Sequence, residues 1–332
     1  MKKLYSGLIW LLVFHFANAQ SVKVLTVGTK TSLRGLSVVT DNIIWASGSN
    51  GTVAKSLDGG VTWKWIIVKG FEKNDFRDIE AFNDTTAIIM AVDEPAFILK
   101  TTDGGESWKT VYKNETKGMF LDAMDFANDK NGVVVGDPIN GLFFIARTND
   151  GGNTWGEDLI NERPVADSGE ACFASSGTNV RMLSINKYAF VSGGKTSSLF
   201  VNNKKIKLPI LQGKESTGAN SVAFKTTKFM IVVGGDFTKK DSTQKNCYIS
   251  KNGGKSWYSP KIPPSGYRSC IQYVSNKSWV TCGLNGVDFT QDNGSTFTRI
   301  SDENLHVCAT SKQGNLVFFA GNGGKIARFV KF

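Results

Sequence analysis

Short apolar runs alternate with turn-forming residues along most of the chain. Near the start, such runs are Val22–Val27, Arg34–Val39, Ile43–Ser47 and Thr52–Ser56, and clusters of Gly, Asn, Asp and Ser lie between them. Runs of this length between turn residues are typical of β-strands joined by hairpins. The pattern therefore predicts an all-β protein made of many short antiparallel strands.

One hairpin sequence recurs five times. It reads SLDGGVTW at residues 56–63, and its later copies are TTDGGESW at 101–108, TNDGGNTW at 148–155, SKNGGKSW at 250–257 and TQDNGSTF at 290–297. An Asp or Asn can bond its own backbone, and the Gly that follows supplies the positive φ of a tight turn. We expect the two Ser/Thr positions to pair across the hairpin and the aromatic residue to be buried.

We call each copy a box and predict that its role is structural, without ligand or catalysis. The residues that define the five boxes are Asp58, Trp63, Asp103, Trp108, Asp150, Trp155, Asn252, Trp257, Asp292 and Phe297.

The spacing of the boxes predicts the blades of a β-propeller. Successive acidic positions are 45, 47, 102 and 40 residues apart. A period of about 40–50 residues with four strands per unit is typical of a propeller blade. The gap of 102 residues is about two periods, so a fourth unit at 169–211 has lost its box and carries Asn202-Asn203 in its place.

Seven blades follow from the strand count. Full units are predicted at 32–69, 76–113, 119–161, 169–211, 219–262 and 267–300, and a unit of only three strands at 305–332. The run Val22–Val27 stands alone before the first unit. If this strand completes the last blade, the ring closes and two exposed edges disappear. The sequence thus predicts one seven-bladed propeller over residues 20–332, with six or eight blades as alternatives.

Residues 1–19 have the features of a signal peptide. Lys2 and Lys3 precede the apolar run Leu8–Phe14, and Ala17-Asn18-Ala19 forms a cleavage site. The run is too short to span a bilayer comfortably, and no later segment is apolar enough. We therefore expect an exported protein, periplasmic or extracellular, without a transmembrane segment after cleavage.

The predicted inner strands suggest a binding site at one end of the central channel. Aligning them by their apolar positions places seven residues in one column: Arg34, Arg77, Leu121, Glu170, Asn220, Arg268 and His306. Five of these form a predicted ligand-binding rim: Arg34, Arg77, Arg268, Asn220 and His306. A cationic rim suits a carboxylate, a phosphate or an acidic protein segment. The alternative is that the rim is exposed to solvent, so that any polar residue is tolerated there and none is selected for a ligand.

The five cysteines are Cys172, Cys247, Cys270, Cys282 and Cys308. Their number is odd and they form no CxxC pair, so neither a metal knuckle nor a redox motif is predicted. A hairpin turn at 275–277 would place Cys270 opposite Cys282, where an oxidising compartment would allow a disulfide.

Several classes of chemistry have no support in the sequence. Only His306 follows the predicted cleavage site, and there is no Walker-A loop and no G-x-G-x-x-G after a strand. We therefore predict no metal site and no cofactor. The net charge is +10, with lysines scattered through loops, and it favours an acidic protein or glycan partner over nucleic acid. We expect a monomer.

The boxes resemble the Asp-box (BNR) hairpins of sialidase-type propellers. Together with runs such as Gly132–Gly136 before a box, they also resemble the Ycf48/Hcf136-like photosystem II assembly-factor propellers. Exported bacterial relatives of that group are often labelled oxidoreductase or glycosyl hydrolase. The resemblance implies a non-enzymatic exported propeller that binds a membrane-protein subunit during assembly. An arginine-rich surface would help, for which Arg34, Arg77 and Arg268 are the candidates.

Hydrolysis of an acidic sugar is the alternative function that the resemblance allows. Sialidases add an arginine triad, a Tyr/Glu pair and an acidic proton donor, so Glu170, Tyr267 and Asp78 would be the catalytic candidates. Their Phe/Tyr-Arg-Ile-Pro segment is absent, and the nearest match is Phe76–Ile79. A lectin-like or adhesive protein that uses loops such as Lys239–Asn246 is a second alternative.

Overall fold

Seven antiparallel sheets form a closed ring in residues 20–331, the part of the chain that this computed structural model describes. The predicted signal peptide lies outside the described residues. The first strand of each blade contacts the first strands of the neighbouring blades, and β2 of blade one contacts β27 of blade seven. The predicted seven-bladed propeller is thus confirmed. Within the described residues, no helix is long and apolar enough to cross a membrane.

Strand β1 (Gln20–Val27) precedes the first blade. In blades one to three, the strands follow one another in chain order from the channel outwards. Blade one contains β2 (Leu33–Val38), β3 (Ile44–Gly48), β4 (Thr52–Ser56) and β5 (Lys64–Ile67); blade two contains β6 (Phe76–Ala81), β7 (Ala87–Ala91), β8 (Ala96–Thr101) and β9 (Lys109–Asn114); blade three contains β10 (Leu121–Phe126), β11 (Gly132–Ile139), β12 (Leu142–Thr148) and β13 (Gly156–Glu157).

A 3₁₀ turn (Ile160–Glu162) and the short strand β14 (Glu170–Ala171) lead to blade four. The remaining blades repeat the same order. Blade four contains β15 (Val180–Ser184), β16 (Lys187–Val191), β18 (Ser198–Val201) and β19 (Lys204–Lys207); blade five contains β20 (Thr217–Phe224), β21 (Met230–Asp236) and β22 (Cys247–Ser250), and its sheet is extended by β17 (Gly193–Gly194) and β14; blade six contains β23 (Cys270–Ser275), β24 (Ser278–Gly283), β25 (Gly286–Thr290) and β26 (Thr298–Ser301); blade seven contains β27 (Leu305–Thr310), β28 (Val317–Gly321) and β29 (Lys325–Lys331).

Strand β1 is the fourth and outermost strand of blade seven. It pairs antiparallel with β29, from Gln20 opposite Lys331 to Val27 opposite Lys325. The predicted closure of the ring by the N-terminal strand is therefore confirmed. Blade five has the weakest outer edge, since a single bridge between Ile249 and Tyr258 replaces its fourth strand.

The apolar core lies between the blades. One cluster joins Trp45 and Val53 of blade one to Phe76 and Ile89 of blade two. Because successive side chains of a strand point to opposite faces, each blade is buried on both of its faces. This packing explains why the inner strands are apolar almost throughout.

The boxes stabilise both the hairpins and the contacts between blades. In the first box, the Ser56 hydroxyl donates to Asp58 Oδ1 at 2.8 Å, and the Thr62 backbone N–H donates to the same oxygen at 2.9 Å. The two hydroxyl residues thus bind the carboxylate rather than each other, so the predicted pairing across the hairpin is wrong. The second box also contacts the preceding blade, because Lys55 Nζ donates to the Gly104 carbonyl at 2.8 Å.

Blade four departs from the alignment made on the sequence. Its inner strand is β15, whereas the alignment on apolar positions took residues 170–174, including Glu170, as the inner strand. Residues 171–179 instead leave the ring of strands and enter the channel, as described below. The lost box is confirmed: Asn202, with a φ of 47°, turns the chain directly from β18 into β19.

Candidate functional site

A β-bulge interrupts the inner strand at the same place in five blades. The register of Cα pairs skips one residue near the start of β2, β6, β10, β20 and β27. The skipped residues are Arg34, Arg77, Asp122, Asn220 and His306. A bulge re-aims the extra side chain, and these five side chains gather at one end of the channel.

The structure brings together four of the five predicted rim residues, and Arg268 is the exception. In blade six, Cys270 lies opposite Cys282 in the neighbouring strand. The residue that lines the end of the channel there is Ser269. In blade three the bulge residue is Asp122, so the predicted position of Leu121 is also wrong by one residue. Alignment on apolar positions cannot detect a bulge, because the extra residue shifts the register without changing the apolar pattern around it.

Arg268 is fully buried between β23 and its neighbours. Its Nε donates to Asp288 Oδ2 at 2.7 Å and its Nη1 donates to the Tyr267 carbonyl at 2.7 Å. Neither side chain of this ion pair has any exposed surface. Arg268 therefore has a structural role and is not available to a ligand.

A plug formed by residues 173–178 crosses the channel. The Ser176 hydroxyl donates to the Ser269 carbonyl of blade six at 2.8 Å, and the Thr178 and Ser221 hydroxyls of blades four and five lie 2.7 Å apart. On the other side, Gly177 packs so closely against the Asp78 carboxyl of blade two that a Cβ would overlap it. The plug thus divides the channel into two separate ends.

The end of the channel beside Ser175 is a cavity of about 490 Å³. We call it the arginine cavity. Its polar wall consists of Arg34, Arg77, Asp137, Tyr267, Ser269 and His306, and its aromatic wall consists of Phe120, Phe173 and Phe237. The aromatic wall comes from three separate segments, so no local sequence signal could have revealed it.

The two arginines differ in their ionic partners. Arg77 Nε pairs with Asp75 at 2.8 Å, whereas Arg34 has no ion pair among residues 20–331 and donates from Nη1 to the Ser175 carbonyl at 3.2 Å. Burial, followed by repulsion from Arg77, lowers the pKa of Arg34. Two close guanidinium groups with open N–H donors favour binding of a carboxylate or phosphate.

His306 and Tyr267 are neutral members of the same cavity. Burial, with the charges of Arg34 and Arg77, lowers the pKa of His306 to about 3, and its buried Nδ1 has no hydrogen-bond partner within the described chain. The Tyr267 hydroxyl donates to Asn220 Oδ1 at 2.7 Å. Burial raises the pKa of Tyr267 to about 12. Both groups therefore act as neutral hydrogen-bonding groups at ordinary pH.

Two buried acidic residues with raised pKa values lie beside the arginines. Burial, and then repulsion from Asp137, raises the pKa of Asp122 well above its usual value. Burial also raises the pKa of Asp137 to about 6, and Asp137 accepts the backbone N–H of Cys172 at 2.8 Å. Above about pH 6, Asp137 is ionised and places a negative charge beside the arginines. Sequence reasoning missed this pair because it depends on the bulge and on a neighbouring strand.

The three candidates for hydrolysis do not meet at the arginine cavity. Glu170 is buried in another contact, where it pairs with Lys205 at 2.7 Å and accepts the backbone N–H of Asp167 at 2.8 Å. Asp78 lies on the far side of the plug and accepts the backbone N–H of Met124 at 2.7 Å. Only Tyr267 lines the cavity, so the Tyr/Glu pair of a sialidase is not assembled there.

The predicted pairing of Cys270 and Cys282 is confirmed at the level of the strands, since the two residues lie opposite each other in β23 and β24. All five cysteines are free thiols in the structure, and all are buried.

Fold and site together define the class: a seven-bladed β-propeller with Asp-box hairpins, a plugged channel and a cationic cavity at one end. The family model described as "Photosynthesis system II assembly factor YCF48" matches residues 15–119, which extend through β1 and the first two blades. No curated protein matches the sequence significantly.

Solved structures confirm the fold over nearly the whole chain. A structure described as "YCF48 bound to D1 peptide" has a TM-score of 0.64 at 18% identity and covers 95% of this chain and 98% of its own. YCF48 from Cyanidioschyzon merolae has a TM-score of 0.67 at 16% identity, with 93% and 98% covered. The WD40 propeller domain of Doa1 has a TM-score of 0.63 at 15% identity and covers 95% of this chain and 98% of its own. At such identities the shared property is the fold, and the resemblance to Ycf48-type propellers is confirmed in those terms.

Proposed function

We propose that this protein is a non-enzymatic assembly propeller of the Ycf48 type that binds a protein segment by a carboxylate. The observation that carries the proposal is the pair Arg34 and Arg77, whose guanidinium groups line one cavity and retain open donors. Arg77 already pairs with Asp75, but Arg34 has no ion pair among residues 20–331, and a buried charge is unfavourable unless an anion neutralises it. Binding of a carboxylate there would form charge-assisted hydrogen bonds in a partly desolvated site.

The aromatic wall favours a peptide over a free small anion. Phe120, Phe173 and Phe237 give the cavity an apolar side opposite the charges, and 41% of the surface of Phe237 is exposed. Such a site fits a carboxylate next to an apolar side chain, since aromatic residues supply large contact areas for recognition. The YCF48 structure with a D1 peptide is a precedent for peptide binding by this fold.

Hydrolysis is less well supported than binding. Tyr267 has no carboxylate partner to activate it, because its hydroxyl donates to Asn220. Its pKa of about 12 keeps it protonated, and a neutral phenol is a weak nucleophile. A panel of fluorogenic sialosides and other acidic glycosides tests this directly. We expect no turnover. Turnover that is lost in a folded Arg34→Ala/Arg77→Ala variant would make the cavity an active site.

The binding proposal is tested with a peptide library displayed in two forms, with free C-terminal carboxylates and with C-terminal amides. We expect the protein to select acidic or carboxylate-ended peptides that carry apolar residues. The double variant Arg34→Ala/Arg77→Ala should lose at least tenfold in affinity, as truncation of buried charge contacts does. Arg181 is a matched control because it lies beyond the plug, near Asp125. If Arg181→Ala lost as much peptide affinity as the double variant, the result would contradict the proposal.

We further propose that the protein works outside the cytoplasm. The support is the sequence of residues 1–19, with its charged start, apolar run and Ala-Asn-Ala site. N-terminal sequencing of the protein from fractionated cells should give Gln20 as the first residue, in an exported fraction. Recovery of the chain with Met1 from the cytoplasm would overturn this part of the proposal.

A further inference from the structure

Three cysteine sulfurs meet where blade six packs against blade seven. Cys270, Cys282 and Cys308 lie on β23, β24 and β27, and their Sγ atoms are all within 4.8 Å of one another. The Sγ atoms of Cys270 and Cys308 are 3.4 Å apart. At most 1% of the surface of any of the three residues is exposed. The strands thus bring together three soft donor atoms from widely separated positions in the sequence.

The surroundings of Cys270 suit a thiolate. The backbone N–H of Cys308 donates to its Sγ at 3.3 Å. The charge of nearby Arg268 is already paired with Asp288.

The geometry fits one metal ion bound by three sulfurs. A triangle with edges between 3.4 and 4.8 Å has its centre roughly 2–3 Å from each corner, and this range includes the metal–thiolate distance of about 2.3 Å. Structural zinc takes four ligands in a tetrahedron. Among the described residues, no histidine or carboxylate joins this group. Soft thiolate donors also select Cu(I), which accepts a three-sulfur set.

We propose that Cys270, Cys282 and Cys308 form a Cu(I)-binding site in the core between blades six and seven. The ion replaces thiol protons, so its binding releases protons and depends on pH. A monovalent ion bound by two thiolates and one thiol releases two protons and leaves a single negative charge, which the Cys308 N–H partly offsets.

Burial determines when the ion can enter. The three sulfurs come from two blades, so the site exists only after β27 has packed against β23 and β24. Since the site has almost no exposed surface, copper loads as the protein folds. The protein folded without copper should accept the ion slowly.

The experiment refolds the full mature chain from denaturant, under reducing conditions, with and without Cu(I). Excess metal is then removed with a chromogenic Cu(I) chelator. We expect one retained Cu(I) per protein, a sulfur-to-copper charge-transfer band in the ultraviolet, and Cu–S distances near those of other thiolate sites by X-ray absorption. Copper-loaded protein should also have a higher Tm, since an ion that binds only the folded state stabilises it.

The chain offers its own controls, since Cys172 and Cys247 are also buried thiols but lie outside the cluster. Cys282→Ser and Cys308→Ser should lose the retained copper and the absorption band, while Cys172→Ser and Cys247→Ser should keep both. No retained copper in refolded wild type would overturn the proposal. An equal loss of retained copper in the two pairs of variants would also overturn it. A disulfide between Cys270 and either partner in protein purified from cells would also overturn it, because a disulfide leaves only one thiol of the cluster.

Discussion

The Arg268 guanidinium and the Asp288 carboxylate form an ion pair in which neither side chain has any exposed surface. Removal of one partner leaves a buried charge without compensation, which costs about 3–5 kcal/mol. We therefore predict that Arg268→Met lowers the free energy of unfolding by about this amount, as measured by urea denaturation. The double variant Arg268→Met/Asp288→Leu should recover part of the loss.

Lys64 and Glu106 provide the matched control for this prediction. Their side chains are 49% and 67% exposed, and exposed pairs contribute at most about 1 kcal/mol. Lys64→Met should therefore have little effect. If both single variants lost the same stability, the buried pair would not have the structural role described here.

Asp137 should make binding in the arginine cavity depend on pH. Its pKa is raised to about 6, so it is ionised at pH 7.5 and becomes protonated as the pH falls to 5.5. Protonation removes a negative charge near Arg34 and Arg77, so affinity for a carboxylate peptide should rise roughly 3–10-fold over this range. His306, with a pKa of about 3, does not titrate in this window.

Isothermal titration of wild type and Asp137→Asn at the two pH values checks this prediction. The variant should bind more tightly at pH 7.5 and should show little change at pH 5.5. A pH dependence that persists unchanged in Asp137→Asn would assign the effect to another group.

Gly177 should tolerate no side chain. Its φ is +64°, and a Cβ would overlap the Asp78 carboxyl. Gly177→Ala should therefore combine backbone strain with a steric clash and lower the free energy of unfolding by about 2–4 kcal/mol. Gly141 has a similar φ of +79°, but no atom lies within 4 Å of the position that its Cβ would occupy, so Gly141→Ala should cost only about 1–2 kcal/mol. If urea denaturation gave the same loss of unfolding free energy for Gly177→Ala and Gly141→Ala, the plug would be loosely packed.

The boxes should contribute stability that is lost in acid. Hydrogen bonds from the Thr62 hydroxyl and backbone N–H lower the pKa of Asp58 to about 2, below the value of about 4 in an unfolded chain. The folded state therefore gains from ionised Asp58 above pH 4, and the gain disappears as the pH falls towards 2. Asn252 occupies the same position in blade five and accepts the Ser256 N–H at 2.9 Å without titrating.

Asp58→Asn should accordingly keep the turn but lose its acid sensitivity. The Tm of wild type should fall more steeply than that of the variant between pH 5 and pH 3, as measured by calorimetry. Asp93 is exposed and has no side-chain hydrogen bond within the described chain, so Asp93→Asn should follow wild type. A parallel decline in all three proteins would contradict the prediction.

The sequence predicted the blades and their closure because both depend on short-range signals. A box places Asp58, Gly60 and Trp63 within six residues, and the hydrogen bonds that Ser56 and Thr62 make to Asp58 lie within that hairpin. The partner of Val22–Val27 could be inferred from a count of strands, since a ring with an incomplete last blade needs one more.

The site was predicted only in part because it depends on register and on contacts across the channel. The bulge in blade three moved the polar position from Leu121 to Asp122, and in blade six the residue at the end of the channel is Ser269 rather than Arg268. The plug resembles an inner strand in its apolar pattern, and only contacts with distant blades distinguish it. For the same reason, the cluster of Cys270, Cys282 and Cys308 could not be seen from spacing alone.

Strand β1 is synthesised first but takes its place last, because its partner β29 lies at the opposite end of the chain. Until β29 has been synthesised, the first six blades can form while β1 has no partner. During that interval, β1 offers unsatisfied backbone groups to any extended peptide, a second nascent chain included. The same arrangement closes the finished ring through a single pair of strands. If the loop between β1 and β2 were cleaved, the hydrogen bonds between β1 and β29 would be what keeps blade seven complete.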